Sequence, residues 1–374
     1  MKSKELKKRV LFYLIHPAKF NQCRITINNL ISKGHEVEIV IIGRDILEEL
    51  VKKEGWKYKM IFPKGRKMKG VHIYISSGLL FFPTIWKLFK LTWGKKYDLF
   101  ISDDLISYVG RLRGIPTIYL VDDDLDAVPH NILYILPTKH IFAPSICGMG
   151  NYENKKLGYY GYKALTHLHP NIFRPNRDKI DSSLPPDKPF FYIRTVLPTS
   201  KHDVGKSGIG DELLGKIIRK LENEGNIILN SEREVADEFK KYRLDYNKND
   251  VSHYLYFAKM VIGDSTTMSV EAAVLGTPSI EIDDWFADFK QYEELHGKYK
   301  LLDGFHLDEE VAIFDKIDEY LSMEDLEGEF EKRRQRMLED KIDVSSFLTW
   351  IIEEYPESTK EFYANRNMQK RFKY

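Results

Sequence analysis

Cysteine is scarce in this chain of 374 residues. Cys23 and Cys147 are too few for a disulfide framework or a cysteine-based zinc site. Net charge is nearly absent too: 57 Lys and Arg face 56 Asp and Glu, a formal +1. No global basic field exists to hold nucleic acid, so none is expected as a partner. Long apolar runs are also missing, and nothing reaches the ~18 uninterrupted apolar residues of a membrane span. The basic start MKSKELKKR leads into VLFYLI, but this run ends at His16-Pro17, too short for the core of a signal peptide. A buried first strand in a cytoplasmic protein is the better reading. No G-x-G-x-x-G turn follows that strand, which argues against NAD there. What is present is a globular composition, 43% hydrophobic and 30% charged, on a length that suits two domains.

The first 145 residues alternate strand and helix patterns. Val10–Ile15, Val37–Ile42, Tyr58–Phe62, Leu99–Ser102, Thr117–Val121 and His140–Ala143 are short and rich in Val, Ile, Phe and Tyr, as strands buried on both faces should be. Helices are expected at Cys23–Lys33, stopped by Gly34, at Asp45–Lys53 behind an Asp45 N-cap, and at Leu105–Arg113. Such alternation predicts a parallel, doubly wound sheet. Asn151–Lys188, with His167, His169 and several prolines, breaks the rhythm and reads as the passage between domains; the two histidines lack the further partners a metal site needs. Strands at Phe190–Arg194, Asn226–Asn230, Met260–Gly263 and Ser279–Ile282 then alternate with helices at Asp211–Glu224, Glu234–Lys241, His253–Ala258 and Thr267–Leu275. The expected fold is α/β, with two Rossmann-like doubly wound domains at 1–170 and 171–340 and a helix with a basic tail at 341–374. The apolar segment Gly78–Trp93 is expected as a core helix, its alternative being a helix lying on a membrane surface. The last residues, with Lys360, Arg366, Lys370, Arg371 and Lys373 against Glu361, read as a frayed solvated end or a contact for an anionic surface.

Residues 260–282, MVIGDSTTMSVEAAVLGTPSIEI, carry the strongest local signal. A buried strand runs into Gly263-Asp264-Ser265-Thr266-Thr267 and a helix follows. Gly263 permits a tight turn, and Ser265, Thr266 and Thr267 are placed to cap the helix. The free N–H groups and the positive end of the helix dipole suit a phosphate. Glu271, one turn beyond Thr267 on the same face, is placed to accept from the hydroxyls of a ribose.

This segment resembles the donor-binding loop and helix of two-domain glycosyltransferases of the GT-B fold. It is similar to the matching segment of non-hydrolysing UDP-N-acetylglucosamine 2-epimerases. More closely, the chain resembles an archaeal and bacterial family of predicted glycosyltransferases. The likeness rests on Lys201-His202-Asp203-Val204-Gly205-Lys206-Ser207-Gly208-Ile209, on Leu229-Asn230-Ser231-Glu232, and on Gly263–Met268 with Glu271–Pro278. It implies a glycosyltransferase that moves a sugar from a nucleotide donor, by analogy a UDP-sugar, to a glycan or lipid-linked acceptor. No cofactor and no metal are implied. It also implies two domains facing a cleft, with a C-terminal helix returning to the first. An epimerase of sugar nucleotides and a non-catalytic nucleotide-sugar-binding protein are the alternatives.

The remaining candidates follow from position. Arg194 ends the first strand of the second domain; with His202 and Lys206 it can offset diphosphate charge. Gly205-Lys206-Ser207 lacks the first glycine of a P-loop, since Ser200 stands there. Asp103-Asp104 and Asp122-Asp123-Asp124 follow neighbouring strands at one sheet edge, so Asp103 or Asp122 can serve as general base toward an acceptor hydroxyl. Asp103 matches the epimerase aspartate in position, whereas Asp122 stands where the epimerases carry a glutamate. Acids after a strand also mark the metal-bridging motif of the GT-A fold, which a second Rossmann-like domain argues against. His16 follows the first strand, in a loop that faces the acceptor in GT-B proteins.

Overall fold

The computed structural model describes residues 7–44, 46–66, 78–196, 208–284 and 290–374. The chain forms two units. Met1–His167 and Ile342–Lys373 make unit 1, and Leu168–Lys341 with Tyr374 make unit 2.

Unit 1 is built on a parallel sheet with seven strands: β1 (Arg9–Leu14), β2 (Glu36–Ile42), β3 (Tyr58–Phe62), β4 (Leu99–Ser102), β5 (Thr117–Leu120), β6 (His140–Pro144) and β7 (Lys156–Tyr159). Their order is β3-β2-β1-β4-β5-β6-β7, so the winding reverses between β1 and β4. Strands β1, β4, β5 and β6 are buried almost throughout, which explains why their sequences are apolar runs and not alternations. Strand β7 lies inside the segment that its prolines and histidines marked as a connector. It pairs with β6, with Phe142 opposite Leu157.

The helix after β1 spans Pro17–Ser32, six residues longer at its start than Cys23–Lys33. His16 caps it, and Pro17 occupies the first turn, where no N–H is needed. The next helix is Leu47–Lys53, with Ile46 at its N-cap; Asp45 lies outside the described residues. The C-terminal residues complete unit 1. Phe347, on the helix Val344–Glu353, stacks 6.0 Å from Phe142 of β6. Gln369 is fully buried; its Oε1 accepts from Tyr160 N at 2.7 Å and its Nε2 donates to Gly158 O at 3.1 Å. The tail is therefore fastened beside β7, not frayed.

Unit 2 carries five parallel strands, β8 (Phe190–Thr195), β9 (Asn226–Ser231), β10 (Met260–Gly263), β11 (Ser279–Ile282) and β12 (Leu302–Phe305), in the order β12-β11-β10-β8-β9. Here the winding reverses between β8 and β10, where Arg194 pairs with Gly263. Glu234–Lys241, expected as an α-helix, is replaced by a 3-10 segment, Asp237–Tyr242. Both sheets thus have a switch point, the place where open α/β sheets leave a crevice beyond their strand ends.

Candidate active site

In unit 1, His16, Asp103 and Asp122 follow β1, β4 and β5, three neighbouring strands at one sheet edge. Their surroundings divide them. Asp122 is held by two lysines: Lys19 Nζ bonds its Oδ1 at 2.8 Å, and Lys163 Nζ bonds its Oδ2. Burial alone would raise its carboxyl, but Lys163 and Lys19 override burial and hold it below the usual carboxylate range. An acid clamped in this way is a poor base. Its neighbour Asp123 is pushed upward, by burial and then by the charge of Asp122.

Asp103 is set up differently. Burial, offset in part by Lys19 and reinforced by Asp104, raises its carboxyl from 3.8 to about 6. Its buried Oδ1 has no hydrogen-bond partner among the described residues. Beside it, Asp104 is 2% exposed and takes Arg66 in a two-pronged pair at 2.8 and 2.6 Å. Asp104 also accepts from Leu105 N at 2.7 Å, so it is structural and fixes the start of the following helix.

His16 is committed as an acceptor. Its Nδ1 takes the N–H of Ala18 at 3.1 Å, which puts the ring proton on Nε2. Burial, then the charges of Arg44, Lys163 and Lys19, lower its pKa to about 3. A neutral imidazole with its proton on Nε2 has one N–H left to donate. A ring whose pKa is lowered this far is a weak base toward an acceptor hydroxyl.

In unit 2, the loop after β10 leads into the helix Thr266–Leu275. A Cβ on Gly263 would lie 2.3 Å from Arg194 O, so glycine is required where the strands meet. Asp264 is 1% exposed and works as a clamp: Oδ1 accepts from Val196 N at 2.7 Å and Oδ2 from Ile209 N at 2.9 Å. Gly208 permits that approach, since its Cβ would stand 2.4 Å from Asp264 Oδ2. Burial raises the Asp264 carboxyl to about 6, although the N–H donors oppose it. His202 and Lys206 lie outside the described residues.

Ser265 holds the N-cap position, but its side chain makes no capping bond, contrary to expectation. Ser265 and Thr266 are half-buried, Thr267 is exposed, and Glu271 is 7% exposed. Arg194 is engaged within unit 2, donating to Asn230 Oδ1 and Glu232 Oε1. It is not free to meet a diphosphate unless that pairing is exchanged. Glu281, opposite Gly263 in β11, and Asp283, just after that strand, are both fully buried. Burial, then Asp283, pushes the Glu281 carboxyl well above the usual range, so it adds little negative charge to this edge.

Lys19, Lys163, Arg66 and the Asp264 clamp escaped reading from the sequence. Lys19 lies in the first turns of the helix Pro17–Ser32, ahead of the Cys23 start expected for it. No cluster of three or more His, Cys, Asp and Glu able to hold a metal occurs among the described residues.

Two parallel, doubly wound units with these switch points make an α/β protein of the GT-B type. The chain belongs to the family described as "Protein of unknown function (DUF354)", whose model matches residues 26–344. No curated protein matches it. Among solved structures it is similar to Staphylococcus aureus MnaA with UDP, at TM-score 0.64 and 11% identity over 98% of this chain and 100% of that one. It is similar to the Methanocaldococcus jannaschii UDP-GlcNAc 2-epimerase with UDP-GlcNAc and UDP, at TM-score 0.59 and 14% identity over 88% and 99%. The calicheamicin glycosyltransferase CalG4 matches at TM-score 0.58 and 11% identity over 96% and 99%. Identities this low establish the fold and leave the activity to the site.

Proposed function

We propose that the protein is a nucleotide-sugar-dependent glycosyltransferase. Unit 2 takes the donor nucleotide at the start of the helix Thr266–Leu275. Thr266 and Thr267 meet phosphate together with the helix N–H groups, and Glu271 meets the ribose. Lys206 and His202, near that edge in sequence, are assigned to the diphosphate by resemblance. Donor charge is met by cations and a helix end without a metal. In unit 1, Asp103 removes the proton of the acceptor hydroxyl and His16 Nε2–H orients an oxygen. Asp122 positions Lys19 and Lys163. A UDP-sugar donor and a glycan or lipid-linked acceptor fit this scheme.

The observation that carries the proposal is Asp103: a buried carboxyl raised to about 6 with an unpartnered Oδ1 at the switch-point edge. It is basic enough to accept a proton and mostly ionised at neutral pH. Epimerisation of a sugar nucleotide is the second reading. It needs two acid/base groups, and the upward shift of Asp123 beside that of Asp103 favours it.

The test is product analysis with UDP-sugars, with and without a panel of acceptors. Acceptor-stimulated UDP release supports transfer, and epimer formed without acceptor supports the second reading. Tight UDP binding without either product defeats both. Glu271→Gln is expected to weaken UDP binding roughly tenfold, the loss of a hydrogen bond to a charged group, while UDP binding by the unaltered protein survives EDTA. Calorimetry reads both, and an unchanged affinity in the variant removes Glu271 from the site.

A further inference from the structure

The helix Phe81–Thr92, expected as a core helix, buries Thr84, Leu88 and Thr92 and packs Ile85, Phe89 and Leu91 partly against the core of unit 1, but its other side is left exposed. Phe82, Trp86 and Trp93 are 76%, 57% and 67% exposed. At spacings i, i+4 and i+11 they share one side of the helical path. Phe89 joins them: its ring centroid lies 6.2 Å from that of Trp86 and 5.0 Å from that of Trp93, giving a continuous aromatic ribbon.

The ribbon is part of a wider face. Phe81 meets Tyr108 edge to face at 5.1 Å, and Tyr108 Oη donates to Leu133 O at 2.7 Å. These contacts bring in the helix Ile106–Arg113, with Leu112 70% exposed, and the short helix Ile132–Ile135, with Leu133 48% exposed. Among the described residues of unit 1, every large exposed apolar side chain except Ile31 lies in these elements or within two residues of their ends. Apolar surface gathered in this way marks a docking face.

Charge identifies the occupant. Residues 78–96, 105–115 and 129–139 carry Lys87, Lys90, Lys95, Lys96, Arg111, Arg113 and Lys139 and no Asp or Glu, in a chain whose net charge is +1. Lys95 is paired with Glu38 at 2.8 Å, and Arg113 donates to Thr92 O at 2.7 Å. Lys90, Lys96, Arg111 and Lys139 are exposed. Lys90 Nζ lies 5.0 Å from the Trp86 ring centroid, a cation resting on the aromatic ribbon. A second copy of this face would oppose like charges across a two-fold contact. A sheet of anionic headgroups over an apolar layer satisfies both the cations and the aromatics. No helix among the described residues is long and apolar enough to cross a membrane, so the contact is made along the surface.

We propose that this aromatic and basic face docks unit 1 on an anionic phospholipid surface. The docking does not depend on the nucleotide-sugar reading, and its test uses no nucleotide. Full-length protein is floated with phosphatidylcholine vesicles, with and without phosphatidylglycerol, at low and high salt. The expected result is binding to the anionic vesicles alone, weakened by salt. Tryptophan emission should shift to the blue and be quenched by brominated lipid. Lys90→Gln and Lys96→Gln should each lower partitioning roughly fivefold. Trp86→Ser with Trp93→Ser should lower it roughly tenfold or more, with the melting temperature unchanged because both side chains point outward. Lys370→Gln with Lys373→Gln, in the basic tail, should leave binding intact. The proposal is overturned if anionic vesicles leave the native protein unbound at low salt. It is equally overturned if the tail variant loses binding while the face variants keep it, or if the face instead drives concentration-dependent dimers that Trp86→Ser abolishes.

Discussion

Asp103 and Asp122 follow adjacent parallel strands, yet their neighbours give them opposite properties. Asp122 is surrounded by cations and stays ionised, whereas Asp103 is buried with one oxygen unpartnered and rises to about 6. Two expectations separate them. If Asp103 is the base, kcat/KM of the native enzyme should climb as pH passes about 6, and Asp103→Asn should remove that limb along with nearly all activity. Stability should move the other way. A carboxyl raised from 3.8 to about 6 contributes stability that is fully present below the lower value and lost as pH rises through the upper one. Asp103→Asn should therefore stabilise the fold near neutral pH, by about 1 to 2 kcal/mol once the part of the residue left open to solvent is allowed for. Denaturant titration at two pH values checks this. Asp122→Ala should instead destabilise by about 3 to 5 kcal/mol, because it strands Lys19, which is 8% exposed, together with Lys163. An unchanged melting point for Asp122→Ala would mean that water already shares those lysines.

At the scale of elements, the strand ends decide where chemistry can occur. Gly263 lets β10 and β8 close up, and Asp264 then holds Val196 and Ile209 with its two oxygens. The start of the helix Thr266–Leu275 is thereby fixed from below without a side-chain cap from Ser265. Gly263→Ala should cost about 1 to 3 kcal/mol, since the added carbon meets Arg194 O in a packed sheet with little room to move. A thermal melt measures the cost, and hydrogen exchange should show the loss concentrated in β8 and β10. The same scale explains why the helix Phe81–Thr92 meets its expectation on one side only, packing on the core through Leu88 and leaving Phe82 and Trp86 exposed. Its apolar residues cover more than one side, and a sequence does not disclose which side a neighbouring helix will cover.

At the scale of the whole molecule, the last residues belong to the first unit. Asp343 caps the helix Val344–Glu353 by accepting from Ser346 N at 2.9 Å, and Thr26 Oγ1 donates to Ser345 O at 3.4 Å. Phe347 and Ile351 are fully buried. A chain ending at Lys341 should therefore expose the side of the helix Pro17–Ser32 that this segment covers. Its β1 and β6 amides should lose most of their exchange protection while those of β10 keep theirs. Equal protection in both sheets would show that the tail is dispensable.

Much of this architecture could be read beforehand. Apolar runs of strand length, separated by amphipathic helices and glycine stops, determine parallel sheets because strands covered on both faces tolerate few polar residues. The strand, turn and helix at 260–275 were legible for the same reason: glycine, hydroxyl residues and an apolar helix have short-range meaning. What the sequence could not decide was which charges meet. Lys19 and Asp122 are 103 residues apart, and Asp264 and Ile209 are 55 apart. Their pairing, the shift of Asp103 and the outward face of the Phe81–Thr92 aromatics exist only once the sheets are assembled, because Coulomb interactions and burial depend on distance in space and not on position along the chain.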